Sequence, residues 1–222
     1  IDIEADSLDA TVIWVACICD VDNDKNMRSF RDAASFVDAV DLEKDIFIAH
    51  NGIDFDFPVL EKLWHIQIKN KVDTLVLSRL FNPDRSGGHS LGAWGERLGY
   101  GKIDFNKFDV YSEEMREYCE QDVYITVQLY KHLLKEGVDF SQQSIELEHA
   151  IADIISRQSR YGFYLDQKKA VDLLVETQSK ADTIKTNIKK YFAPKVKVVR
   201  TDLPKYTKNG VISKVGLRQF QY

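Results

Sequence analysis

The chain has 222 residues, 44% hydrophobic and 29% charged, with only four prolines and eleven glycines. That balance supports a sizeable core and excludes disordered, collagen-like and low-complexity classes. The net charge of −5 hides a gradient: residues 1–140 carry 27 acidic and 15 basic side chains, whereas residues 181–222 carry two acidic and ten basic. An acidic body repels polyanions unless divalent cations intervene, while a basic tail attracts them; a solvated, weakly ordered face is the alternative reading of the tail. The longest apolar stretch, Ala10 to Cys19, is too short to span a bilayer, and no signal peptide precedes it, so no membrane role is expected. Three cysteines without metal spacing suggest a reducing compartment, and the initial Ile1 suggests a fragment.

In chain order, Ile1 to Glu4 and the β-branched run Thr11 to Cys19 read as two strands separated by a polar turn. A second turn is expected over Asp20 to Asn26, with Met27 to Phe30 as an edge strand. Apolar residues at helical spacing from Ala34 to Val40 follow. Ile46 to Ala49 is short and wholly apolar, which suits a buried strand. A helix is predicted from about Phe57 to Trp64, with Pro58 tolerated in its first turn. Val72 to Leu80 reads as strand into helix, and Ser90 to Leu98 as a short helix closed by Gly99. Ser112 with Glu113 and Glu114 marks a helix start, and that helix runs to Leu134 and ends at Gly137. From Ile145 the pattern is helical, broken at Gly162 and resumed from Asp166 to about Tyr191. The prediction is an α/β fold, a mixed sheet flanked by helices, followed by a helical connector.

Three segments carry candidate chemistry. Asp2 and Glu4 occupy alternate positions of the first strand, so both side chains leave one face; a solvated strand end is the bland alternative. The segment from His50 to Asp56 lies where a buried strand gives way to a helix, the place where open sheets put ligand groups, although Asp54 or Asp56 could equally cap that helix. Tyr118 and Asp122 are four apart on the long helix, hence neighbours on one face. Taken together, Asp2, Glu4, Asp56 and Asp122 form a hard-oxygen set suited to Mg²⁺ or Mn²⁺ and not to zinc. His50 reads as a hydrogen-bonded structural residue. His89 could touch a phosphate or order its loop, and Phe55, Phe57, Trp64 and Trp94 could offer stacking surfaces or simply fill the core.

In order, Asp2-x-Glu4, Asn51-x-x-x-Phe55-Asp56 and Tyr118-x-x-x-Asp122 resemble the three exonuclease motifs of the DEDD superfamily, tyrosine subtype. The run from Asp2 to Asp9 resembles the proofreading domain of family A DNA polymerases. The segments HNGIDFDFPVLEKL, DTLVLSRL, HSLGAWGERLG and EYCEQD are similar to the replicative polymerases of short-tailed bacteriophages. The likeness continues through Ile145 to His149, Gln158, Gly162-Phe163 and Leu203 to Tyr206, and so covers nearly the whole chain.

The resemblance implies a ribonuclease H-like 3′ to 5′ exonuclease domain over residues 1–140, a helical connector over 141–192 leading towards a polymerase half, and a basic tail over 193–222. It implies two Mg²⁺ per site, with Mn²⁺ able to substitute, held by Asp2, Glu4, Asp56 and Asp122, with Tyr118 orienting the attacking water. Leu8 would wedge against the terminal base, Asn51 would contact the primer end, and Phe55 would complete the substrate contacts. The implied substrate is a single-stranded DNA 3′ end or frayed primer-template, degraded to nucleoside 5′-monophosphates in a bacterial host's cytoplasm. The implied partners are the rest of a polymerase chain and a host or phage processivity factor. The palm segments with the two polymerase aspartates are missing from the sequence, so degradation without synthesis is expected. The rivals are an RNA-trimming exonuclease of the same superfamily and an inert nucleic-acid-binding module.

Overall fold

A computed structural model describes residues 1–101, 103–192, 206 and 208–209. Two compact units emerge, Ile1–Gly162 and Phe163–Tyr222. The expected basic tail, 193–222, lies outside the described residues apart from Tyr206, Lys208 and Asn209.

In the first unit, strands β1 (Asp2–Ala5), β2 (Ile13–Asp20) and β3 (Asn23–Phe30) form an antiparallel meander. A short helix α1 (Ala33–Asp38), capped by the Asp32 carboxylate at the Ser35 amide, leads to β4 (Phe47–Ala49), which pairs in parallel with β5 (Lys71–Asp73). The Ile1 nitrogen donates to the Ile48 carbonyl at 2.7 Å and so sets β1 beside β4. Between β4 and β5, helix α2 (Asp56–Val59) continues as a π-helical turn, Leu60–Trp64, and stops at His65 in the left-handed conformation. Helices α3 (Thr74–Phe81), α4 (Leu91–Leu98), α5 (Glu113–Glu136) and α6 (Gln142–Tyr161) complete this unit. In the second unit, α7 (Gln167–Tyr191) is capped by Asp166 and buries none of its residues. The result is the mixed α/β arrangement followed by helices that the sequence predicted.

The strand register explains which side chains face which layer. Asp2 lies opposite Cys17 and Glu4 opposite Val15, so these four side chains leave the same face of the sheet. Val15 and Cys17 pack there on Met115, Cys119 and Val123 of α5. The opposite face, carrying Ile3, Ile13, Ala16 and Ile18, packs with Phe36, Phe57 and Leu60. A third cluster joins α3, α4 and α5 through Leu77, Trp94, Ile125 and Leu129. Ser112 caps α5 as expected, its hydroxyl accepting from the Met115 amide at 3.1 Å.

Two local expectations are corrected. Asn23 to Asn26 form strand, not turn: β2 and β3 are joined through Val21 and Asp22 alone, because an edge strand facing water tolerates the polar run Asn-Asp-Lys-Asn. Helix α6 begins at Gln142, with the Ser141 hydroxyl accepting from the Ser144 amide at 3.2 Å, three residues before the periodic apolar pattern starts. Among the described residues, no helix is long and apolar enough to cross a membrane.

Candidate active site

Strand β1 delivers its two carboxylates towards α5. Carboxylate oxygens of Asp2 and Glu4 and the Cys119 sulfur all lie within 4.8 Å of one another. The Cys119 thiol also approaches the Asp2 carbonyl at 3.5 Å, which fixes α5 against β1 one turn before Asp122. Glu4 is 7% exposed and Asp122 4%, whereas Asp2 is only half-buried.

The third element arrives from the end of β4. The chain leaves the sheet at Ala49, turns through Asn51 in the left-handed region at φ 65°, and enters α2 at Asp56. Neither candidate aspartate caps that helix. Asp56 Oδ1 accepts from the Ile3 amide at 3.0 Å, and Asp54 Oδ1 accepts from the Ser156 hydroxyl at 2.8 Å. The Ile1 amino group and the Ile3 amide, two residues apart along this edge, thus find acceptors in the Ile48 carbonyl of β4 and in a side chain of α2. Asp56 is 4% exposed.

These carboxylates act on one another. Burial pushes the Asp2 carboxyl well above its ordinary range, and the charges of Asp56, Glu4 and Asp122 push it the same way. Burial raises Asp56 to about 7. The charges of Glu4 on β1, Asp56 on α2 and Asp122 on α5 therefore all reach Asp2, a repulsion that a bound cation would relieve.

Asp2, Leu8, Asn51, Phe55 and Asp56 line one cleft of about 470 Å³. Leu8 stands 91% exposed on the loop between β1 and β2. Asp6 closes that loop by accepting from the Thr11 amide (2.8 Å), the Thr11 hydroxyl (2.5 Å) and the Val12 amide (3.0 Å), bonds that lower its carboxyl to about 2. Tyr118 lies on α5 one turn before Asp122, its ring against Phe105 at 5.5 Å and Phe108 at 6.3 Å between centroids.

Residues 1–137 match the DNA polymerase A model described as 3′–5′ exonuclease. The chain belongs to this exonuclease family. It is similar to the DNA-directed DNA polymerase of Enterobacteria phage T3, 28% identical over 257 residues that cover 86% of this chain and 36% of that protein. It is likewise similar to that of Escherichia phage T7, 29% identical over 241 residues, 79% of this chain and 34% of that protein. The chain thus spans about a third of the length of these curated relatives.

The donor set of this exonuclease-family chain fits a hard divalent cation. Asp2 and Glu4 offer carboxylate oxygens at one point, whereas burial raises the Cys119 thiol well above its ordinary range and keeps the sulfur protonated.

Other parts of the site escape sequence reasoning. Asp73, 2% exposed, accepts from the Asn51 amide (2.9 Å) and the Ile53 amide (3.1 Å) and also caps α3 at the Leu75 amide (2.9 Å). It therefore holds the loop that carries Asn51 to Asp56. Its position before Thr-Leu-Val-Leu is a helix-cap signal, but the bond to the loop joins residues 20 to 22 apart and leaves no sequence pattern. From α6, His149 Nε2 accepts from the Asp73 amide at 2.9 Å, so Nδ1 carries the proton and donates to the Ile145 carbonyl at 2.8 Å. The Ser156 hydroxyl also donates to the Ile53 carbonyl at 3.1 Å.

The remaining candidates are held by hydrogen bonds or packed on the core, His50 and Phe55 also lining the cleft. His50 Nδ1 lies 2.9 Å from the Thr74 hydroxyl, which donates to the Ala49 carbonyl. His89 orders its loop between the Ser78 hydroxyl (2.8 Å) and the Pro83 carbonyl (3.2 Å). Trp94 and Phe57 are core residues, 1% and 4% exposed. Phe55 and Trp64 are partly buried against the core.

Proposed function

We propose that this chain is the proofreading exonuclease portion of a phage-type DNA-directed DNA polymerase, acting on a single-stranded DNA 3′ end or frayed primer-template. In this reading residues 1–140 form the exonuclease domain, 141–192 the connector and 193–222 a basic tail, and the reaction hydrolyses the 3′-terminal phosphodiester to release nucleoside 5′-monophosphates.

The observation that carries the reading is the approach of the Asp2 and Glu4 carboxylates within 4.8 Å, with Asp56 lining the same cleft as Asp2 and the charge of Asp122 also reaching it. Such a cluster is a site for two divalent ions, Mg²⁺ with Mn²⁺ as substitute, held by these four side chains. When bound there, such ions would supply positive charge to the phosphate oxygens and lower the pKa of a bound water. The protein's own residues do the rest. Tyr118, its ring steadied by Phe105 and Phe108, orients the attacking water. Leu8, projecting from the loop that Asp6 closes, wedges against the terminal base. Asn51 and Phe55, on the loop that Asp73 holds, line the cleft for the terminal nucleotide. The likeness to two phage DNA polymerases favours DNA over RNA and supports the rest of a polymerase chain as partner.

The test is the double variant Asp2→Ala, Glu4→Ala, assayed for Mg²⁺-dependent release of mononucleotides from matched DNA and RNA oligonucleotides. A fall of more than about a thousandfold with circular dichroism unchanged is the expected result, since removing the ion-holding carboxylates removes the charge stabilisation of the displacement. Full retained activity refutes the site, and parent activity confined to RNA refutes the substrate.

A further inference from the structure

Arg160 stands outside the stretch that matches the family, on the last turn of α6, yet it lines the carboxylate cleft. The other acidic and basic residues lining that cleft are Asp2, His50, Asp54 and Asp56, so Arg160 is its one arginine or lysine among the described residues. It also lines a second cleft, of about 650 Å³, with the apolar Leu8, Pro58 and Val59, the acidic Asp9 and Glu61, and Lys62. Leu8, Asp54, Phe55 and Arg160 are common to both, so the two clefts adjoin along these side chains.

The way Arg160 is held matters. Its Nη1 donates to the Ser156 hydroxyl at 2.7 Å, and Ser156, 3% exposed, is in turn bound to the Ile53 carbonyl and the Asp54 carboxylate. Other nearby cations are neutralised directly: Arg157 and Lys71 pair with Asp153 at 3.1 and 2.8 Å, and Lys62 pairs with Asp9 at 2.7 Å. Among the described residues Arg160 makes no such direct ion pair: it rests on the Ser156 hydroxyl, its charge reaching Asp153 only at longer range, which leaves guanidinium N–H donors for a ligand. A planar guanidinium presented this way suits two oxygens of one phosphate. An otherwise acidic cleft also needs a fixed cation to hold a polyanion beyond the reach of any ions at Asp2.

We propose that Arg160 is a substrate-positioning residue that grips a phosphate of the retained strand, next to the scissile bond, where the two clefts meet. The carboxylate cleft then takes the terminal nucleotide, and the Leu8–Pro58–Lys62 cleft takes the nucleotides behind it. The inference rests on the nuclease reading for the direction of the strand, but not for the presence of a phosphate site.

The test compares the full 222-residue chain with its Arg160→Gln and Arg160→Lys variants, glutamine being able to keep a hydrogen bond to Ser156. Binding of a fluorescein-labelled single-stranded DNA oligonucleotide is read by anisotropy in EDTA across a salt series, and hydrolysis is read in Mg²⁺. Arg160→Gln should raise Kd about tenfold at low salt and lower the slope of log affinity against log salt by about 0.7, the loss of one phosphate contact on a single strand. In hydrolysis KM should rise by a similar factor with kcat within about threefold, and Arg160→Lys should recover part of the loss. Unchanged Kd and salt slope overturn the proposal, as does a fall in kcat with KM and Kd intact, which makes Arg160 only a brace for Ser156. If the parent shows no Mg²⁺-dependent hydrolysis while the Kd shift appears, the nuclease reading fails and the phosphate site stands.

Discussion

The Ile3 amide donates to Asp56 Oδ1 at 3.0 Å, across 53 residues of chain. One step earlier along the same edge the acceptor is the Ile48 carbonyl. A candidate metal-binding carboxylate thus doubles as the continuation of a strand ladder, and its position is set by backbone geometry. One of its oxygens is held at the strand edge.

That position has a pH consequence. A carboxyl raised to about 7 in the folded protein binds more protons folded than unfolded between its ordinary value near 4 and 7. Asp56 therefore makes the metal-free protein more stable as pH falls from 8 to 6, and this contribution is lost as pH rises through 7. Melting in EDTA at pH 8 and pH 6, with Asp56→Asn as reference, should show a larger gain on acidification in the parent. At the proposed metal site Mg²⁺ would compete with that proton, so its apparent affinity should climb through pH 7, with proton uptake on chelation. A parent and variant with the same pH dependence refute the assignment.

Asp73 offers a way to loosen the site without touching a candidate ligand. Its carboxylate takes three amides, two from the Asn51 to Ile53 loop and one from α3. Hydrogen bonds to a charged group are worth about 1.5–3 kcal/mol each, so Asp73→Ala should destabilise by roughly 3 kcal/mol or more. Hydrogen exchange at the Asn51 and Ile53 amides should accelerate at least tenfold. Protection equal to the parent's means another group holds the loop.

Leu8 separates function from folding. At 91% exposure it contributes little to stability, so Leu8→Ala should melt within about 0.5 kcal/mol of the parent. Burying a leucine against a base is worth roughly 1.5 kcal/mol. The exonuclease rate on single-stranded DNA at subsaturating concentration should accordingly fall about tenfold. An unchanged rate removes Leu8 from the substrate path.

Gly95 tests the packing of α4. A Cβ there would sit 2.6 Å from the Tyr100 carbonyl oxygen, while the Tyr100 amide donates to the Gly95 carbonyl at 2.7 Å. Helix propensity favours alanine by about 1 kcal/mol, but overpacking against fixed backbone costs about 1–3. Gly95→Ala should therefore lower the thermal midpoint by several degrees, and a rise in the midpoint refutes the contact.

Much of this arrangement is legible along the chain because it follows local periods. Alternation puts Asp2 and Glu4 on one strand face, and the helical period places Asp122 beside the apolar face of α5, where Met115, Cys119 and Val123 are buried. Ser112 declares the start of that helix from the position just before Glu113. What is not legible is what depends on distant partners. Asp54 and Asp56 carry a helix-cap signature, yet bonds to Ser156 and Ile3, 102 and 53 residues away, take both side chains elsewhere. Asn23 to Asn26 look like a turn because polarity is a poor guide on an edge strand. The π-helical turn at Leu60–Trp64 has no composition that distinguishes it from α-helix.

Helix α6 holds the nuclease body at three places: His149 at the Asp73 amide, Ser156 at Ile53 and Asp54, and Asp153 at Lys71. The portable module is accordingly longer than the stretch matching the family model, which ends at 137. Anyone transplanting this nuclease into another enzyme should cut after Tyr161, since an earlier scissor point strips the splint from the very loop that carries Asp56.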